Sequence, residues 1–179
     1  MRLSYMATNV LNLTKIENQS ILTDQTEYNL SEQLRASILL LERKWSKKGL
    51  QWQLELGEHR ITANEELLKQ VWINLLENAI KFSPEDGTIG VQITEREGLL
   101  SISVRNAGET IPPQEQEKIF RKFYQADTSH SSEGNGIGLA IVKRVVELHQ
   151  GTVEVRSENG STTFKVMLSE SGAEGGKRT

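Results

Sequence analysis

The chain has 179 residues, of which 36% are hydrophobic and 25% charged, and this fits one globular domain of roughly 150 residues with short appendages. Its net charge of −3 excludes a general attraction to nucleic acid or anionic membranes, and no apolar run approaches the roughly 18 residues of a transmembrane helix. Cysteine is absent, which excludes disulfides, thiolate zinc sites and cysteine nucleophiles and is compatible with a cytoplasmic setting, with any membrane attachment outside this chain.

A narrow apolar stripe marks the first segment, where apolar side chains alternate at three- and four-residue spacing (Leu3, Met6, Val10 and Leu13). The pattern predicts a helix that pairs with another helix, and we assign residues 1–18 to it. Packing of this helix on its own domain is the alternative interpretation. Residues 19–28 are polar and predict a linker.

A second domain is predicted over residues 29–169. Asn29 and Glu32 form a capping-box pattern, and the apolar residues that follow at helical spacing predict one helix that Gly49 closes. Residues 51–56 alternate strictly between polar and apolar and predict a strand with one buried face. Residues 60–62 predict its short partner strand.

The next helix begins after Asn64, a typical N-cap residue. One of its stripes is apolar (Leu68, Val71, Leu75 and Ala79). Another stripe, at i, i+4 and i+7, is polar (Asn74, Asn78 and Lys81). The spacing therefore predicts that these polar groups form a column of their own.

The following segments predict two strands, a short helix and a loop. Residues 89–93 and 100–104 alternate like the strands of a hairpin, and two prolines open a short helix over residues 112–120. Residues 125–134 are rich in Ser, Asp and Gly and show no periodicity, so we predict a mobile loop.

The rest of the chain predicts a helix from Ile137 to His149, a hairpin about Asn159 and Gly160, and a flexible tail at residues 170–179. Helices and largely antiparallel strands together indicate an α+β fold, a two-layer sandwich with helices on one face of a mixed, mostly antiparallel sheet. The strand–GxxxxGK[ST]–helix unit is absent from the sequence, which argues against a P-loop enzyme.

The polar column has the chemistry of a magnesium site. Mg²⁺ prefers oxygen ligands and keeps several waters, so one side-chain oxygen beside a triphosphate is sufficient. Asn78 can supply that oxygen, Asn74 can help to orient it, and Lys81 can neutralise phosphate. A solvated helix face is the alternative interpretation of the same residues.

Three glycines, Gly134, Gly136 and Gly138, lie in a loop that enters a helix. They let the backbone approach a ligand closely, and a helix N-terminus favours an anion. A flexible turn explains the glycines equally well.

Taken in chain order, four segments resemble motifs of the ATP-binding catalytic domain of bacterial sensor histidine kinases, in the superfamily that also includes gyrase, the Hsp90 chaperones and MutL. They are residues 74–82 (N box), 106–112 (G1 box), 120–124 (F box) and 134–139 (G2 box). The resemblance covers roughly residues 30–168. It implies the Bergerat ATP-binding fold and a kinase domain that donates the γ-phosphate of Mg-ATP to a histidine.

The resemblance also implies partners. Residues 6–17 look like the end of the second helix of a dimerisation and phosphoacceptor domain, whose helix with the acceptor histidine is not in this sequence. His59, His130 and His149 lack an acceptor context, so we interpret each as structural or solvated. Expected partners are the dimerisation domain, a response regulator and a second copy in the full-length kinase.

Roles follow residue by residue from the same resemblance. Asn78 would coordinate Mg²⁺ with support from Asn74, Lys81 and Lys122 would contact phosphates, and Glu77 holds the acidic position that activates water in ATPase relatives. Residues 124–133 would form a lid over ATP. The other nucleotide contacts would be Phe82, Asn106, Gly108, Ile111, Tyr124, Gly134, Gly136, Ile137, Gly138 and Leu139.

The sequence departs from the family pattern at three positions. Phe82 stands where the family often has Tyr, and Asn106 replaces the Asp that accepts from the adenine amino group. Thr110 replaces a glycine, and a β-branched side chain there adds bulk and tolerates positive φ poorly. Asn106 and Thr110 support one alternative to the kinase, a degenerate signalling scaffold. An anti-sigma type serine kinase and an ATP-driven clamp are further alternatives, and the helix predicted at the N-terminus argues against both.

Overall fold

The computed structural model describes residues 2–125 and 136–173, with side chains from residue 7 onward. The helices in these ranges are α1 (Arg2–Glu17), α2 (Leu30–Leu40), α3 (Glu42–Lys47), α4 (Glu65–Phe82), α5 (Pro113–Gln116) and α6 (Gly138–Leu148), with a 3₁₀ turn at Lys118–Phe120. The strands are β1 (Thr26–Asn29), β2 (Gln51–Glu55), β3 (Arg60–Ala63), β4 (Thr88–Arg96), β5 (Leu99–Ala107), β6 (Thr152–Glu158) and β7 (Ser161–Ser169).

Several predictions concern residues outside this description. They are the side chains of Leu3 and Met6, the loop and lid over residues 126–135 with His130 and Gly134, and the tail over residues 174–179.

The predicted α+β fold is confirmed. Five strands form one sheet in the order β2-β4-β5-β7-β6, in which β2 and β4 are parallel and all other neighbours are antiparallel. Across the central strands Val91 lies opposite Val104, and Val104 opposite Phe164. These side chains are buried, so one face of the sheet is covered by helices while the alternate side chains of the same strands are more exposed.

The predicted linker over residues 19–28 contains a strand. β1 pairs with β3, Tyr28 opposite Ile61, in a separate two-stranded sheet. The prediction that β3 would pair with the strand at residues 51–56 is therefore wrong. The physical reason is burial, because Tyr28, Ile61 and Ala63 all point into the core.

The predicted buried face of β2 is also not observed. β2 is an edge strand, Leu54 is 45% exposed, and Leu56, just beyond the strand, is the buried residue. Trp52 is only partly buried and packs edge-on against Trp45 of α3, with ring centroids 5.8 Å apart. The alternation of polar and apolar residues in β2 does not indicate that helices cover little of this edge of the sheet.

The helix predicted up to Gly49 is two helices, α2 and α3, which meet at Leu41. The Trp45 indole donates to the Ile38 carbonyl (2.9 Å) and so satisfies an acceptor near the end of α2. Both predicted N-caps are confirmed: the Asn29 side chain accepts from Glu32 N–H, and the Asn64 side chain from Leu67 N–H, each at 3.0 Å.

The C-terminal half of α1 packs on this chain's own domain, against α6. Leu13 and Ile16 are each 4% exposed, and Val10 packs beside them. This arrangement corresponds to the alternative interpretation of the apolar stripe, since two of its members face the domain. At the other end of the chain, Glu170 is not frayed: its N–H donates to Gly98 (2.9 Å) and its carbonyl accepts from Thr62 (2.8 Å).

A buried polar cluster joins β1, α2 and α4. The Gln33 side-chain oxygen accepts from the Tyr28 hydroxyl and from the Trp72 indole, both at 2.8 Å, while its amide nitrogen donates to the Glu65 carbonyl (2.8 Å). Burial raises the pKa of the Tyr28 hydroxyl well above its usual range, so Tyr28 remains a neutral donor. One amide thus satisfies two buried donors and one partly buried carbonyl.

We predict that Gln33→Leu lowers the free energy of unfolding by about 2–4 kcal/mol, because the buried Tyr28 hydroxyl and the buried Trp72 indole both lose their acceptor. Gln53→Leu is the control, since Gln53 is exposed on β2 and surface changes usually stay within about 0.5 kcal/mol. Urea unfolding measures both. Equal, small effects of the two substitutions would show that the Gln33 cluster contributes little.

Candidate functional site

The polar column of α4 is present as predicted. Asn74, Asn78 and Lys81 are half-buried, while the apolar stripe with Val71 and Leu75 is fully buried. The Asn74 amide nitrogen donates to the Gln70 carbonyl (2.8 Å), so its oxygen is the atom that is left to face another group.

That oxygen faces the start of α6. A Cβ added to Gly138 would lie 2.7 Å from the Asn74 side-chain oxygen, closer than a carbon and an oxygen can approach. Glycine at this position therefore lets the N-terminus of α6, whose first N–H groups have no partner within the helix, lie against the middle of α4 without displacing the Asn74 side chain.

A second glycine joins the F-box segment to the same place. Gly136 has φ of 68°, and a Cβ there would lie 2.7–2.9 Å from backbone atoms of Phe123 and Tyr124. The Phe123 N–H donates to the Gly136 carbonyl (2.9 Å). The residues just before the undescribed segment and those just after it are therefore in contact.

A third glycine brings the G1 segment to the C-terminal end of α4. A Cβ on Gly108 would lie 2.6 Å from the Phe82 carbonyl oxygen. Asn106, on β5, is 3% exposed, and its amide nitrogen donates to the Ala107 carbonyl (2.9 Å). The side-chain oxygen of Asn106 therefore remains as an acceptor.

The expectation that Thr110 would strain the backbone is wrong. Thr110 is exposed and does not have a positive φ. Its hydroxyl accepts from the Gly160 N–H (2.9 Å), while the Gly108 N–H donates to the Gly160 carbonyl (3.0 Å). Thr110 thus joins the G1 segment to the β6–β7 hairpin.

The remaining predicted side chains are apolar or charged. Ile137 is fully buried, so only its backbone can reach a ligand, whereas Ile111, Tyr124 and Leu139 are partly buried against the core. Phe82 is 45% exposed, with the Lys81 amine 5.2 Å from its ring centroid. Gly134 lies outside the described residues.

The sequence profile of the family described as histidine kinase-, DNA gyrase B- and HSP90-like ATPase matches residues 63–172. This range contains α4, α6 and the three glycine contacts. The chain belongs to this family.

Individual proteins of known type agree with this assignment. The sensor histidine kinase CusS of Escherichia coli K12 is 30% identical over 169 residues, which are 93% of this chain and 35% of CusS. Full-length ShkA, in complex with AMPPNP, has a TM-score of 0.83 at 26% identity over 96% of this chain and 37% of ShkA. Histidine kinase ThkA, in complex with the response regulator TrrA, has a TM-score of 0.80 at 27% identity over 95% of this chain and 48% of ThkA. The chain thus spans about a third of the length of CusS.

Two lysines that the sequence analysis did not single out contact residues of α4 in this ATPase domain. Lys44 of α3 lies 2.8 Å from the Glu77 carboxylate. Lys48 donates to the carbonyls of Ile80 (2.7 Å) and Lys81 (3.2 Å), and so caps the C-terminal end of α4. Both contacts join residues more than thirty positions apart, and no local pattern in the sequence signals them.

Glu77 also lines a cleft of about 240 Å³ between α1 and α4, together with Asn9, Asn12 and Asn74. The acid at the position predicted to be catalytic is therefore beside the polar column, with Lys44 as its partner. Lys122, which is predicted to contact phosphate, pairs with Glu17 at the end of α1 in this structure.

His149 joins the far ends of α4 and α6. Its Nε2 accepts from the Asn64 N–H (3.2 Å), and its Nδ1 lies 2.8 Å from the Val145 carbonyl. A carbonyl can only accept, so Nδ1 carries the proton and the ring is neutral. Burial lowers the pKa of His149, and the hydrogen bond to Val145 opposes this in part.

We predict that stability falls as the pH drops below about 6.5, the ordinary pKa of histidine, because the unfolded chain then takes up a proton that the folded chain excludes. Above that pH the contribution is complete. Urea unfolding between about pH 8 and about pH 5.5 measures it. His149→Gln should flatten the pH dependence, and His59→Gln is the control that retains it. An equally steep fall in His149→Gln would assign the effect to another group.

Proposed function

We propose that this chain is the ATP-binding catalytic part of a sensor histidine kinase, which binds Mg-ATP and presents the γ-phosphate to a histidine on another domain. The observation that carries the proposal is the approach of Gly138 to Asn74. It places the N-terminus of a helix, which favours anions, against a column of amides and an amine.

Asn78 is the proposed ligand of Mg²⁺. It lies one helical turn beyond Asn74, and within the described part of the chain its side-chain amide has no hydrogen-bond partner. No cluster of three His, Cys, Asp or Glu residues that could hold a metal occurs among the described residues. A single amide oxygen, completed by phosphate and water oxygens, suits Mg²⁺.

The purine would lie at the other end of α4. Asn106 is buried, and its free side-chain oxygen can accept a hydrogen bond from an adenine amino group. Gly108 would let the base approach the backbone next to Phe82. An amide gives a neutral hydrogen bond where a carboxylate would give a charge-assisted one, so we expect modest adenine affinity.

Phosphates would be contacted by Lys81, Lys122 and the N–H groups at the start of α6. When bound, Mg²⁺ supplies charge neutralisation and alignment of the phosphates. The protein's own contribution is positioning and electrostatic stabilisation, which dominate phosphoryl transfer. Glu77 remains the candidate for handling a proton, with Lys44 fixing its carboxylate.

The phosphate acceptor would come from outside this chain. Both ring nitrogens of His149 are engaged in the core, and His59 Nδ1 is 3.1 Å from the Glu95 carboxylate. We therefore propose that a dimerisation domain supplies the acceptor in a homodimer, and that a response regulator receives the phosphoryl group. None of the described helices is long and apolar enough to cross a membrane.

We predict that the chain binds ATP more tightly with Mg²⁺ and that Asn78→Ala reduces the Mg²⁺-dependent affinity roughly tenfold, the scale seen when metal-site groups are lost. Calorimetric titrations with Mg²⁺ and with EDTA measure this. The variant should match the parent in EDTA, because only the metal contact is removed. Gln53→Ala, exposed on β2, is the control.

Two results would contradict the proposal at different levels. A parent chain without saturable ATP binding would remove the kinase function. Normal Mg²⁺ dependence in Asn78→Ala would retain nucleotide binding but place the metal elsewhere.

A further inference from the structure

One of the lysines proposed to contact phosphate, Lys122, is paired with a carboxylate of the same chain. The Lys122 amine forms an ion pair with the Glu17 carboxylate, which lies at the end of α1. Both side chains are partly exposed, Lys122 to 47% and Glu17 to 33%. A partly exposed pair is weak enough to be exchanged for another anion.

The end of α1 is held in place by more than this pair. Leu13 and Ile16 are buried against the domain. The Arg144 guanidinium, on α6, donates to the Gln19 carbonyl (2.6 Å). Because the end of α1 is packed on the domain, the position of Glu17 next to Lys122 is fixed by the helix.

Lys122 lies beside the entrance of α6. Its neighbour Phe123 donates to Gly136 (2.9 Å), two residues before Gly138, which contacts Asn74. Lys122 is thus one residue from a backbone contact with the entrance of α6, and we take its flexible side chain to reach either Glu17 or an anion bound there. A single ammonium cannot satisfy a triphosphate fully while it is paired with a carboxylate.

We propose that Glu17 competes with the nucleotide phosphates for Lys122, so that docking of α1 weakens ATP binding and release of α1 strengthens it. This inference rests on the proposed function, because it takes Lys122 as a phosphate contact. The Glu17–Lys122 contact therefore lowers nucleotide affinity while α1 is docked, and it links the position of α1 to that affinity.

The test compares Mg-ATP and adenosine binding by the whole chain at low salt. Glu17→Gln should tighten Mg-ATP binding about two- to fivefold, the range expected for an exposed ion pair, and should leave adenosine binding unchanged. Glu27→Gln is the matched control, since it removes the same charge from a pair with Arg60 in the β1–β3 sheet. The gain should shrink at high salt because the pair is exposed.

A double variant isolates the contact. Lys122→Met should weaken Mg-ATP binding, and adding Glu17→Gln to it should give no further gain. Because coupling is reciprocal, Mg-ATP should also speed amide hydrogen exchange over residues 13–19, and this effect should be absent in Glu17→Gln.

The outcomes separate the two proposals. Absence of Mg-ATP binding in the parent and in all variants would overturn the proposed function itself. Measurable binding with equal gains from Glu17→Gln and Glu27→Gln, or a gain that survives Lys122→Met, would overturn the competition and leave the nucleotide site intact.

Discussion

The close approach of Asn74 to Gly138 is the contact on which the rest of the site depends. It sets the start of α6 against the middle of α4, and His149 bonds to Asn64 at the opposite ends of the same two helices. Asn64 and Asn74 are ten positions apart, and Gly138 and His149 are eleven positions apart, so the two helices run antiparallel and α6 is fixed against α4 at both of its own ends. A shift of either contact would move the anion-favouring helix end away from the amide column.

What the sequence could predict was local. Cap residues such as Asn29 and Asn64, the two stripes of α4, and the hairpins β4–β5 and β6–β7 depend on neighbours within a few positions. The pairing of β1 with β3, the parallel alignment of β2 with β4, and the lysine contacts of Glu77 and Glu17 depend on residues brought together from far along the chain. Such contacts leave no periodic signal in the sequence. The candidate site could be predicted only because its motifs occur in the same order as in a known family, not from these contacts.

In the G1 segment, tertiary contacts decide what a residue does. By backbone preference Thr110 is a poor replacement for glycine, yet here it avoids positive φ and uses its hydroxyl to hold Gly160. Ser157 adds to the same anchoring by accepting from the Ile111 N–H (2.8 Å). The segment near Asn106 is thus fixed from the hairpin side, which favours a formed base pocket over a degenerate scaffold.

The most direct test of this account is to replace Mg²⁺ by paramagnetic Mn²⁺ and to record amide NMR spectra of the chain with ADP. If α4 and α6 together form the metal-nucleotide site, the Asn78 side-chain amide and the backbone amides of Gly136 and Gly138 should broaden most strongly, and those of β1 and β2 should stay sharp. Strongest broadening at β1 or β2, or none that depends on ADP, would contradict it.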